Sequence, residues 1–367
     1  MPYYNYNEKG INGDMNEFEK IARVYNRLKD QESKDIFDFH IKMNLKPDMR
    51  WKMPMSFLHG DISLSFFDEW YQDKKRKDIV VYGGGTVGAY TVELLMAANK
   101  EVRYVCETNP QADYLILSNG VKIPIIDLDS LTKLNNVIVV IGSILYTQDI
   151  YELCLYRGIR QDSIFYPPRR FLLGYDKNQY FDFFKPNQNE IFVDVGAYDG
   201  SSSLGFVDWC NGLYDGIYIF EPNRKNINFI KNLLENNGVT NHKIIAKGAW
   251  DKDAELSFVV DDYNAGASKI DERAKGIATV PVTSIDNALS GKRITFIKMD
   301  IEGSEYQALW GAKDTIKHWH PRLAISVYHK QDDFYEIPNL LLSIDDTYNI
   351  AFRVYTSDVE DVIMYAW

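Results

Sequence analysis

Apolar residues recur along this chain with two different periods, and the changes of period mark out its organisation. From Asn16 to Leu45 the period is helical: Phe18, Ile21, Ala22, Tyr25 and Leu28 fall on one face, and Ile36, Phe39 and Ile41 resume it after the polar stretch DQESK. Residues 1–70 therefore read as a helical lead-in and not as a domain of their own. The basic run KKRK, Lys74 to Lys77, reads as a solvated turn before the apolar strand IVVY. From Asp78 to about Tyr166 short apolar runs alternate with helical stretches: IVVY, a helix, a strand ending at Glu107, the run Asn135 to Ser143, and a helix from Thr147 to Arg157. Such alternation predicts a parallel sheet of about four or five strands over residues 71–170.

Pro167 and Pro168 stop that pattern, and Pro186 with Asn187 and Asn189 marks the entry to the next. The aromatic stretch between them is too apolar for a free tether and is expected to pack on the second sheet. Over residues 171–367 the runs IFVDV, GIYIF, KIIAKGAW, ITFIKMD and RLAISVYH predict five core strands, the third ending near Gly248. AELSFVV reads as a short antiparallel insertion, TVPVTSIDNAL as a strand and helix, and NIAFRVYT with DVIMYAW as two closing strands with no helix between them. That final antiparallel pair sets the second sheet apart from a plain dinucleotide-binding fold, which would cross each pair of strands with a helix.

The composition, 46% hydrophobic over 367 residues, is enough for real cores in two or three units. A formal net charge of −11 without a basic stripe argues against a nucleic-acid partner and favours a neutral or cationic ligand. Cys106, Cys154 and Cys210 each sit in an apolar stretch and are expected as buried free thiols. No leader pattern or membrane-length apolar run is visible, so a cytoplasmic location without a membrane span is expected. The chemistry is expected to involve a small molecule, and a homo-oligomer remains open.

Two glycine turns carry candidate chemistry. Gly83, Gly85 and Gly88 have G-x-G-x-x-G spacing between a strand and a helix, with Glu107 ending the next strand, so NAD or a nucleotide-sugar is a candidate ligand there. The competing reading is a module kept for docking or structure. In the second sheet Asp194 precedes the turn of Gly196, Ala197, Tyr198 and Gly200, and Glu221 ends the following strand about 20 residues on, where an acid can hold a ribose. Asn223 follows it, and Gly248, Ala249 and Trp250 lie where a base would rest, although Trp250 also reads as a core aromatic. No cluster has metal-ligand spacing, so no metal is expected, with Asp300 and Glu302 the one small opening.

VDVGAYDGSSS, FEPN and the block KMDIEGSEYQALWGA together resemble the FkbM family of S-adenosylmethionine-dependent O-methyltransferases, over roughly Asn187 to Trp367. The run D-x-E-G-x-E-x-x-A-L, Asp300 to Leu309, is the most specific part. The resemblance implies an α/β fold in which a class I methyltransferase seven-stranded Rossmann-like sheet follows a smaller Rossmann-like domain and a helical segment. It also implies S-adenosylmethionine as cofactor and a hydroxyl of a sugar, glycan or natural-product scaffold as acceptor. On that reading Asp194 positions the glycine loop and faces the cofactor's ammonium. Asp300, at the carboxyl edge of the fourth strand, is the first candidate to take or align the acceptor proton. Glu302, His329 and Lys330 stand beside it, while Ser268 and Lys269 are candidates to cover the pocket. Two other classes stay open: a nicotinamide-dependent oxidoreductase, which lacks an obvious hydride-relay pair, and a non-catalytic module that binds a nucleotide-sugar or a partner.

Overall fold

The computed structural model describes residues 15–45, 65–74, 77–117, 120–143, 146–167, 179–259, 269–270, 279–355 and 361–367. Helix α1 (Glu17–Arg27) opens on a capping box, in which Asn16 Oδ1 accepts from the Glu19 amide and the Glu19 carboxylate accepts from the Asn16 amide. Its buried side is Val24 and Leu28 flanked by Ile21 and Tyr25. Phe18 is 83% exposed and Ala22 is exposed as well, so the apolar face is turned from the expected one to centre on Val24. Helix α2 (Gln31–Leu45) buries Ile36, Phe37 and His40.

The first sheet follows helix α3 (Ser65–Tyr71). Its elements are β1 (Asp78–Tyr82), α4 (Thr86–Ala97), β2 (Val102–Glu107), β3 (Tyr114–Ile116), β4 (Lys122–Asp127), α5 (Leu128–Lys133), β5 (Val137–Ile141), α6 (Thr147–Tyr156) and β6 (Ile164–Phe165), with strand order β3-β4-β2-β1-β5-β6. The count of six exceeds the expected four or five. Short β3 and the alternately exposed β4 lack the continuous apolar run that marks a buried parallel strand, and β3 pairs antiparallel at the edge.

The glycines of the first turn interlock with one another. Gly83 has φ +124°, and a Cβ there would lie 2.7 Å from the Gly142 carbonyl oxygen. A Cβ on Gly88 would collide with the Gly83 carbonyl, and one on Gly84 with the Glu107 carboxylate. Gly85 alone faces open space.

The second sheet contains β7 (Ile191–Val195), α7 (Ser201–Trp209), β8 (Gly216–Phe220), α8 (Arg224–Asn236), β9 (His242–Ile245), β10 (Gly248–Ala249), β11 (Ala254–Val259), β12 (Lys269–Ile270), β13 (Thr279–Thr283), α9 (Ile285–Ala288), β14 (Phe296–Met299), α10 (Glu305–Trp310), α11 (Lys313–Trp319), β15 (Arg322–Ser326), α12 (Asp333–Ile344), β16 (Ile350–Val354) and β17 (Val362–Ala366). Seven of these strands run β16-β17-β15-β14-β7-β8-β9, with β17 antiparallel to both neighbours. The stretch KIIAKGAW does not form one strand. The chain turns after Ile245, where the Lys247 amide bonds back to the Ile245 carbonyl, and Gly248–Ala249 leaves for a separate four-stranded sheet of order β10-β13-β11-β12. Of the aromatic stretch before β7, Phe181, Phe183 and Phe184 pack with Phe192, Phe296 and Tyr365 as expected. All three cysteines are free and buried. No helix among the described residues is long and apolar enough to cross a membrane.

The early helices pack on the second sheet. Val24, Leu28, Ile36 and Phe37 share one core with Phe334, Leu341, Ile350 and Phe352. Lys20 pairs with Glu336 at 2.6 Å, Arg23 donates to the Leu342 carbonyl, and Leu28 forms a bridge to Ile350 on the outermost strand, blunting that sheet edge.

His40 stacks on Phe334 at 4.4 Å in this core, and its Nε2 has no hydrogen-bond partner. Burial holds its pKa down at about 4 against an ordinary 6.5. As pH falls from 6.5 towards 4 the unfolded chain takes up a proton that the folded chain refuses, so stability is lost across that window, on the order of 3 kcal/mol. Urea titrations at pH 7 and 4.5 test this: His40→Phe should lose clearly less stability over the interval than the parent, and equal losses would refute it.

Candidate active site

Strand β7 delivers Asp194 into the sheet interior at 0% exposure. One of its oxygens accepts from Ser202 Oγ (2.6 Å) and Ser203 Oγ (2.7 Å) at the start of α7. The other lies 3.3 Å from Lys298 Nζ, an ion pair without an aligned hydrogen bond. Lys298 sits in the middle of β14, buried, and also donates to the Gly196 carbonyl at 2.7 Å with its ammonium 5.2 Å from the Tyr180 ring centre. Asp194 is thus committed to groups of the protein, and of the two roles expected for it, loop positioning is the one these contacts carry.

The loop after β7 is folded tightly, with Gly196, Tyr198 and Gly200 all at positive φ. A Cβ on Gly196 would run into the Asp300 carbonyl and 2.7 Å from the Ile301 side chain, so the glycine is needed where this loop meets the end of β14. Ala197 is buried and Tyr198 is half exposed. Glu221, at the end of β8, accepts from the Tyr198 amide at 3.1 Å with one oxygen and from the Asn223 amide at 2.8 Å with the other. Burial lifts its carboxyl above the usual range, opposed by those amides. Asn223 caps α8 through the Lys225 amide.

Gly248 and Ala249 are buried in β10, and Trp250 packs with Val280 and Val282. Its indole is a core aromatic. Lys269 falls in β12, and Ser268 lies outside the described residues.

The carboxyl edges of β14 and β15 bring the remaining candidates together. His329 Nδ1 lies 2.9 Å from Glu305 Oε1, while Nε2 lies 3.5 Å from Asp300 and 3.7 Å from Glu302. Neither ring nitrogen makes an aligned hydrogen bond, so the contacts are electrostatic. Burial opposes a charge on the ring, but Glu305, Asp300 and Glu302 overrule it and raise the pKa to about 9, which makes His329 an imidazolium at neutral pH. Glu305 accepts from the Ile301 amide and is fully buried, and its proximity, added to burial, pushes Asp333 up to about 7. The Lys330 stem packs over Gly303, and its amide donates to Asp333.

Three members of this neighbourhood escape sequence reasoning. Tyr180 donates to Asp300 Oδ2 at 2.7 Å from the stretch before β7, where its ring is one aromatic among many. Glu305 stands inside the quoted motif but reads as a helix start. Lys298 left a signal that could have found it, because a lysine in the middle of ITFIKMD is a charge in an apolar strand. Although no cluster has metal-ligand spacing in the sequence, the fold brings donor atoms of Asp300, Glu305 and His329 within 4.8 Å of one another.

Removing the Lys298 ammonium leaves Asp194 as a buried unpaired charge, which costs about 3–5 kcal/mol. Lys298→Met should show this as a lowered urea midpoint at unchanged slope. A midpoint equal to that of the parent would show that the pair does not hold the loop.

Residues 194–352 match the family model described as Methyltransferase FkbM domain. Among solved structures, the methyltransferase FkbM from Methylobacillus flagellatus KT is 19% identical, with 92% of this chain and 99% of that chain covered at a TM-score of 0.49. Fibrillarin from Aeropyrum pernix, solved with natively bound S-adenosyl-L-methionine, is 9% identical, covering 52% of this chain and 71% of its own at a TM-score of 0.34. A Streptococcus mutans protein solved in complex with SAH is 14% identical over 49% of this chain and 89% of that one, at a TM-score of 0.31. No match was found among curated proteins. The family match runs from the buried aspartate of β7 to the edge strand β16, across the turn and the carboxylate cluster described above, so this part of the chain is similar to the FkbM domain and reads as an S-adenosylmethionine-dependent methyltransferase.

Proposed function

We propose that this chain transfers a methyl group to a hydroxyl of a sugar, glycan or related small molecule, at the carboxyl edge of β7, β8 and β14. The observation that carries the reading is the convergence of Asp300, Glu302, Glu305 and His329 against the loop that Gly196 seats on the Asp300 carbonyl. The residues fit the cofactor. Three carboxylates around one imidazolium leave excess negative charge that suits a sulfonium, and Glu221 is a buried acid at the end of the next strand. S-adenosylmethionine supplies an electrophilic methyl group carried on that sulfur.

Each residue then has a distinct task. Asp194 and Lys298 hold the loop, and Gly196, Ala197, Tyr198 and Gly200 present its backbone to the cofactor. Glu221 and Asn223 serve the ribose side, and the backbone of Gly248, Ala249 and Trp250 borders the base. Asp300, fixed by the Tyr180 hydroxyl, takes or aligns the acceptor proton, whereas His329, already protonated at neutral pH, orients the acceptor together with Glu302 and Lys330. A neutral polyhydroxyl acceptor also suits a chain of net charge −11, which repels anions.

The first sheet is proposed as a docking or structural module, because mutual packing of Gly83, Gly88 and Gly142 and contact of Gly84 with Glu107 already account for every glycine of the turn except Gly85 without a ligand. The proposed division is a lead-in over 1–70, this module over 71–170 and the methyltransferase unit over 171–367.

Calorimetry with S-adenosylhomocysteine tests the cofactor assignment: Glu221→Ala should weaken binding by about 1–3 kcal/mol in a folded protein, and an unchanged affinity would reject it. For the chemistry, Asp300→Asn should lower turnover of a saccharide acceptor, found by screening with labelled cofactor, by about 10²–10⁴-fold while cofactor affinity stays within a few fold. Wild-type turnover in that variant would remove Asp300 from the role.

A further inference from the structure

The carboxylate–imidazole cluster contains more donor capacity than the protein uses. Glu305 is fully buried, and its Oε2 has no hydrogen-bond partner. The His329 side chain is 8% exposed, yet neither ring nitrogen has an aligned partner. Buried polar atoms are nearly always satisfied, and two such side chains facing the same space call for an explanation. Repulsion sharpens the point, because Asp300, Glu302 and Glu305 surround a single imidazole.

We infer that Asp300, Glu305 and His329 form a binding site for one divalent first-row transition-metal ion, of which Mn²⁺ is the best match. Their donor atoms already lie within 4.8 Å of one another, a span that an ion with bonds of about 2.1 Å bridges after small side-chain movements. Two carboxylates with one imidazole favour an ion that accepts both oxygen and nitrogen, which disfavours Mg²⁺ and Ca²⁺. The distances also assign the ring atoms. Nδ1 lies 2.9 Å from Glu305, a charge contact without an aligned hydrogen bond, while Nε2 at 3.5 Å from Asp300 and 3.7 Å from Glu302 is too far for hydrogen bonds and leaves room for an ion between. Glu305 reaches the ion with its second oxygen, and Glu302, 32% exposed, stands at the rim. The ion takes the place of the proton that His329 otherwise holds among these carboxylates.

The use of such an ion rests on the proposed function: beside the methyl-transfer site it binds the acceptor hydroxyl and lowers its pKa. Its binding does not depend on that reading, and the two are separable. Chelator-treated full-length protein is titrated with MnCl₂, and the free ion is followed by its paramagnetic resonance signal. One ion per chain is expected. Asp300→Asn, Glu305→Gln and His329→Gln should each weaken binding at least tenfold, and exposed Glu235→Gln should leave it unchanged. Circular dichroism and S-adenosylhomocysteine affinity confirm that each variant is folded. The proposal is overturned if the parent binds neither Mn²⁺ nor Zn²⁺ at millimolar concentration, or if the folded cluster variants bind as the parent does. Methyl transfer to a hydroxyl without ion binding would refute the ion alone, whereas ion binding in a protein that methylates no hydroxyl would refute the proposed function and leave the site standing.

Discussion

A single ammonium in the middle of a β-strand fixes the geometry on which the site depends. Lys298 lies in an otherwise apolar strand, with Phe296, Ile297 and Met299 as its strand neighbours, and it meets Asp194, the Gly196 carbonyl and the Tyr180 ring there. These partners come from two separate stretches of chain, the end of β7 and the segment before it. The ammonium therefore sets the height of the loop after β7 against the end of β14, and with it the distance between loop and carboxylate cluster. A positive charge so placed also offsets part of the negative field at the sheet edge.

Most of the architecture was legible because parallel strands advertise themselves as apolar runs and their helices as a change of period. The closing antiparallel pair followed from two runs without a helix between them, whereas the order of the seven strands is set by long-range pairing that the runs do not carry. Legibility failed where local pattern and tertiary contact disagree. KIIAKGAW is apolar enough for one strand, yet a backbone turn at Ile245 sends its end to another sheet, and no period in eight residues can announce that. Phe18 keeps helical phase but is exposed among the described residues, where the buried face centres on Val24. Within the site, Asp300, Glu302 and His329 were found from their place at strand ends, whereas Tyr180 and Glu305 owe their positions to long-range packing.

The two glycine turns illustrate a related point. Both follow a buried strand and open a helix, and both look like ligand cradles. In the first, Gly83, Gly88 and Gly142 answer one another's backbones. In the second, Gly196 answers the carbonyl of Asp300, which belongs to the proposed site itself. A glycine in such a turn records the close approach of a main chain before it records any ligand.

The embrace of the early helices by the late strands has a consequence for biosynthesis. Lys20 and Glu336 are 316 residues apart, and Ser33 bonds to Phe352 across 319. At about 5–20 residues per second, roughly 16–64 s of translation separates the emergence of α1 from that of its docking surface. Throughout that interval Val24, Leu28, Ile36 and Phe37 have no permanent partner, while the first sheet can already close its own core. The nascent chain is thus a natural client for chaperones, and its last unit to mature is the one that holds both its earliest helices and its latest strands.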